Sequence, residues 1–121
     1  MTKLATIAAS VVLLTAASAD AAPALRCFTG PVNRTFGGTN WLVYSCDDAR
    51  SMVVVSAVEN PAAPFVFYLT PDGDRYRVIG EGNGSKEASD KAGDALSSMS
   101  DADFAALLRA TVTHPAQRPS E

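Results

Sequence analysis

The chain is poor in the residues that most often carry chemistry. It has one histidine and two cysteines in 121 residues. The histidine, His114, precedes Pro115 in a polar C-terminal stretch, a poor place to hold a catalytic group. Ser-His-Asp and Cys-His mechanisms and His-based zinc sites are set aside with it. Charge of one sign is also lacking. The formal net charge is −3, with no basic run, so there is no electrostatic case for nucleic acid or for anionic lipid headgroups. No apolar run reaches the ~20 residues of a membrane-spanning helix.

What is present begins at the N-terminus. Met1-Thr2-Lys3 is followed by an uncharged apolar run from Leu4 to Ala19, with Ile7, Val11, Val12, Leu13 and Leu14 at its centre. Small residues then crowd the exit. A basic start, a short apolar core and a small-residue exit are the three parts of a secretory signal. Two cleavage sites satisfy the small-x-small rule, Ala17-Ser18-Ala19 before Asp20 and Ala19-Asp20-Ala21 before Ala22. The reading is a cleaved signal over 1–21, a domain over 22–113 and a disordered tail over 114–121, with no stable membrane anchor after cleavage. Lipid attachment at Cys27 is rejected, because Arg26 is not the small residue that reaction requires. Export places the mature chain in the periplasm or outside the cell.

That address gives the two cysteines a meaning. In an oxidising compartment Cys27 and Cys46 read as a disulfide. Their spacing is far from C-x-x-C, and no histidine accompanies them as a metal ligand.

Strand signals follow in series. Trp41–Cys46, Ser51–Val58, Phe65–Thr70 and Arg75–Gly80 are rich in aromatic and β-branched residues and are separated by turn residues. The valine run at 53–55 predicts a central strand buried on both faces. Pro71-Asp72-Gly73-Asp74 predicts a hairpin turn. Residues 23–40, dense in glycine and proline, read as a lead-in loop or a short strand around Leu25–Thr29. Past Gly84 the period changes. Ser85 caps a helix to about Ser98, with Ala88, Ala92, Ala95, Leu96 and Met99 as its apolar positions. Ser100 caps a second, whose stripe is Phe104, Leu107, Leu108 and Val112. Strands first and helices last predict an α+β fold, with an antiparallel sheet of about four strands and two C-terminal helices on one face.

No short motif names a reaction or a cofactor. Gly80-x-Gly82-x-Gly84-Ser85-Lys86 has Ser and Lys in the wrong order for a phosphate loop and reads as a flexible strand-to-helix connection. A weaker functional reading has its N–H groups and Lys86 holding an anionic group. Asp72-Gly73-Asp74 lacks the further acidic ligands of a calcium loop. Asp47, Asp48 and Glu81 flank strand ends, and would serve a small carboxylate-based hydrolase if two of them met in one cleft. Asn33-Arg34-Thr35 and Asn83-Gly84-Ser85 match the glycosylation triplet, which matters only in a eukaryotic secretory route. Trp41, Tyr44, Phe65, Phe67 and Tyr68 read chiefly as core. The run Phe65-Val66-Phe67-Tyr68 also sets an aromatic on each face, so one face can serve an interaction surface.

Trp41-x-x-Tyr44-Ser45-Cys46-Asp47-Asp48, leading into Ser51–Ser56 and then Gly80-Glu81-Gly82, resembles the small uncharacterised exported proteins of Gram-negative bacteria. That resemblance spans most of the mature chain and implies no activity. Tyr44-Ser45-Cys46 leading into a strand is also similar to the periplasmic inhibitors of c-type lysozyme, over about a dozen residues. That family implies an all-β barrel, and its S-G-x-x-Y inhibitory loop has no match here, so no functional residue is carried over. The sequence thus predicts a non-catalytic binding or interaction module of the envelope, with an envelope protein or small ligand as its partner, no cofactor and no metal. The alternatives are a carboxylate hydrolase or a lysozyme-inhibitor-like protein.

Overall fold

A computed structural model describes residues 24–113. The expected signal segment and the expected C-terminal tail lie outside the described residues. The elements run β1 (Thr29–Phe36), β2 (Thr39–Ser45), β3 (Met52–Ser56), β4 (Phe65–Asp72), β5 (Arg75–Gly82), α1 (Lys86–Ser97) and α2 (Asp101–Thr113). The strands form one antiparallel sheet in the order β1-β2-β3-β4-β5, each paired with its neighbour in the chain. Both helices lie on the same face of this meander. The α+β architecture is the one expected from the sequence, with five strands rather than four.

The additional strand is β1, which replaces the loop or short Leu25–Thr29 strand expected there. Gly37 and Gly38 carry φ of 60° and 84°, and they sit between the paired residues Phe36 and Thr39. Two successive positive-φ residues make the turn whose twist suits a hairpin, and glycine adopts it without steric cost. Pro31 is tolerated because β1 is an edge strand and its register shifts between Thr29 and Val32.

The inner face of the sheet is the core. Val32, Phe36, Trp41, Val43, Met52, Val54, Phe67 and Leu69 pack against Ala88, Ala92 and Leu96 of α1 and Phe104 and Leu107 of α2. Trp41 has no exposed surface; its ring lies 5.2 Å from that of Phe67, and its Nε1–H donates to Thr39 Oγ1 at 2.9 Å. Tyr76 stacks on Phe104 with ring centroids 4.7 Å apart, tying β5 to α2. Fully burying side chains of this size contributes about 1.5–3 kcal/mol each, which is how an alanine-rich helix such as α1 is held. Alanines at 88 and 92 let α1 lie close to the sheet, and Leu96 anchors its end.

Both helix starts follow the expected capping. Ser85 Oγ accepts from the Ala88 N–H. Ser100 and Asp103 exchange side chain-to-backbone bonds in both directions, a full capping box. The α2 stripe differs in one position. Val112, expected inward, is 61% exposed, and Thr111 is fully buried instead. Seven residues on from Phe104 falls nearer the same helix face than eight, and Ser45 waits there. The Thr111 hydroxyl is hydrogen-bonded with Ser45 Oγ at 2.7 Å and donates to the Leu108 carbonyl at 2.6 Å.

Candidate functional site

Strand alternation gives the sheet a second face, and the helices leave it open. Cross-strand partners share a face in an antiparallel sheet. The register therefore places Leu42, Val55 and Val66 in one outer row, and Tyr44, Val53, Tyr68 and Ile79 in the next. These apolar and aromatic side chains cross four strands without interruption. Val53 and Val55 are half-buried, Tyr68 is 39% exposed and Ile79 is 48% exposed. The expected burial of the valine run on both faces is corrected here: β3 is central, but helices cover only its Met52–Val54 side. None of these outer residues belongs to the core cluster that the helices build with the inner face.

Polar groups sit at the two ends of this face. Glu81 follows the Leu42–Val66 row, and its Oε1 accepts a hydrogen bond from the Tyr68 hydroxyl at 2.9 Å. That bond and the adjacent carboxylate push the phenol above its ordinary pKa. At the other end Arg77 lies opposite Thr70, and its Nη2 donates to Asp72 at 2.9 Å. Beside the Glu81 end is an apolar groove of ≈ 460 Å³, lined by Val55, Val58, Ala63, Pro64, Phe65 and Val66 among others. Val58 stands at its lip, 97% exposed.

The aromatic candidates divide between two environments. Trp41 and Phe67 are core residues and leave the expected interaction surface. They pair with the inward rows, Trp41 with Ser56 and Phe67 with Val54. Phe65 packs on both of their rings and also lines the groove. Tyr68 belongs to the outer face. Lys86 does not: it opens α1 and pairs with Asp90 at 3.2 Å. In the 80–88 segment three of the N–H groups are already used within the fold. The Asn83 N–H is used by the Pro64 carbonyl, the Ser85 N–H by the Pro61 carbonyl and the Ala88 N–H by the Ser85 cap. Gly84 is required for close approach, because a Cβ there would overlap the Ala62 carbonyl.

The three carboxylates do not converge. Asp47 and Asp48 lie in the turn after β2, beyond the Ser45–Met52 pair, while Glu81 lies across the sheet in the row of Leu42. Asp47 Oδ1 accepts from the Arg26 N–H at 3.3 Å. Asp48 holds the turn through the Ser51 hydroxyl and the Arg50 and Ser51 N–H groups. Burial acts to raise its pKa, but these bonds and the Arg50 guanidinium outweigh it and hold the carboxyl below its ordinary value. Among the described residues, no group of three or more His, Cys, Asp or Glu side chains is placed to hold a metal ion.

Cys27 and Cys46 form the expected disulfide, which fastens the lead-in segment to the end of β2. The Asp47 N–H donates to the Arg26 carbonyl at 2.8 Å, completing a reciprocal clamp beside it. No described helix is long and apolar enough to cross a membrane. Comparison of the chain with family models, curated proteins and solved structures finds no match.

Proposed function

We propose that the protein is a non-catalytic binding module of the periplasm or the extracellular space, which receives an apolar segment of an envelope protein on the outer face of its sheet. The observation that carries this reading is the continuous outer surface from Tyr44 to Ile79, with the Val58 groove at its end. Monomeric proteins rarely leave large apolar patches in water, and such patches mark interaction sites when polar groups rim them. Here Glu81 and Arg77 supply the rim. A disulfide in so small a domain supports an oxidising address, in line with the export signal read at the N-terminus. The all-β barrel implied by the lysozyme-inhibitor resemblance is not formed, so that resemblance adds no support for inhibition.

Pull-down from envelope extract tests the reading, with wild type, Tyr68→Lys and a control substitution on the exposed helix surface, Lys91→Glu. The expected result is a discrete partner retained by wild type and by the control but lost from Tyr68→Lys. Equal recovery by all three contradicts the assignment. A thermal shift with apolar small molecules and no protein partner would instead assign the face to a small ligand.

A further inference from the structure

We propose that two copies of this chain associate through β5, antiparallel about Ile79, to form one continuous sheet. The two edges of the sheet are unlike. The β1 edge is interrupted by Pro31 and a register shift, features that discourage further pairing. β5 runs for eight residues in unbroken register on β4, contains no proline and is largely exposed. Its outward edge has no neighbouring strand among the described residues.

The sequence of β5 is complementary to itself in one antiparallel register. With a two-fold axis at Ile79, that residue lies opposite its own copy. Arg77 then lies opposite Glu81 of the second copy, and Glu81 opposite its Arg77. All three residues are on the outer face, because they pair with Tyr68, Thr70 and Val66 on β4. Directly opposite side chains of opposite charge or matching apolarity are the pairs that stabilise antiparallel strands. Moving the axis to Arg77 would set arginine against arginine. Moving it to Gly80 would set Ile79 against Glu81. On the inner face, the Ile79 axis brings Val78 against Gly80, which offers no side chain to obstruct it.

The charged groups have capacity for this contact. Arg77 bonds Asp72 through Nη2 and Glu81 bonds Tyr68 through Oε1, leaving the remaining guanidinium donors and Oε2. The pairing would also join the outer row Tyr44–Val53–Tyr68–Ile79 to its copy, doubling the apolar face. It stands whether or not that face receives a ligand. Strand-edge interfaces are small, so the dimer is concentration-dependent rather than permanent.

Sedimentation velocity of the purified, oxidised protein over a dilution series tests this, with far-UV circular dichroism confirming the fold of each variant. Wild type should show a reversible monomer–dimer equilibrium, with amide exchange of residues 77–81 slowing as concentration rises. Glu81→Arg and Arg77→Glu should each weaken the dimer by about tenfold or more, and the double variant that swaps the two charges should restore it. A wild type that stays monomeric throughout overturns the proposal, and needs no variant to do so. A dimer indifferent to both reversals, or not recovered by the swap, overturns it as well.

Discussion

At the scale of single residues, Asp48 shows how one side chain fixes a turn. Two N–H groups and a hydroxyl converge on its carboxylate, and the charged form is the one they favour. Its folded pKa is therefore depressed, so its stabilising contribution is fully present above the ordinary carboxylate value of about 3.9 and is lost as pH falls through the depressed one. Asp48→Asn should cost about 1 kcal/mol at neutral pH. In urea unfolding, the gap between wild type and variant should narrow as the medium is acidified below that range; a gap unchanged at low pH would remove the carboxylate from this role. In the sequence the same carboxylate reads first as a turn residue and only second as half of a catalytic pair. A turn ligand and an acid/base residue have the same composition, and only the position of Glu81 across the sheet separates the two.

At the scale of elements, α2 supplies a paired test. Thr111 is buried and hydrogen-bonded to Ser45, while the more hydrophobic Val112 faces water. Thr111→Val should destabilise the protein by about 1–2 kcal/mol, because it strands the Ser45 hydroxyl in the core. Val112→Ser should stay within about 0.5 kcal/mol of wild type. Thermal or urea melts decide it, and the reverse ranking would put the helix in a different rotation. Helical periodicity alone favoured Val112, since hydrophobicity says nothing of a hydroxyl partner on a distant strand. The strands β2 to β5 were legible for the opposite reason: β-branched and aromatic runs separated by turn residues report local preference directly. β1 was obscured by Gly30 and Pro31 near its start, which are compatible with a strand at an edge. The Gly37-Gly38 turn was its signature, readable once a strand is allowed on either side. The Phe65–Tyr68 run pointed to a second aromatic face, but the valine run of β3 concealed that this face is open, because an apolar residue under a helix and one on an uncovered face are spelled alike.

At the scale of the whole molecule, two features decide behaviour. The first is the Cys27–Cys46 bond, whose partners are 19 residues apart. Closing a loop of that length should stabilise the fold by roughly 3 kcal/mol, so the Cys27→Ser, Cys46→Ser double variant should unfold at correspondingly lower urea. An unchanged midpoint would show that the clamp of Arg26 and Asp47 suffices without it. The second is the division of the sheet into a covered and an uncovered face. A two-layer domain of this length buries one side of its sheet well. The other side gathers Leu42, Tyr44, Val53, Val55 and Val66, all half-buried, with the exposed Tyr68 and Ile79. Nothing in the packing of the core requires these outer positions to be apolar, since polar residues there would serve the sheet as well.

The most direct test of that surface is site-specific photocrosslinking in the cells that make the protein. One photoreactive residue replaces Val55, at the centre of the outer face and away from the β5 edge; another replaces Glu87, on the exposed helix surface. A discrete heterologous adduct is expected from position 55, absent from position 87 and abolished when Tyr68→Lys is added. No adduct from position 55, or the same adducts from both positions, would contradict the claim that the outer face is where the protein meets its partner.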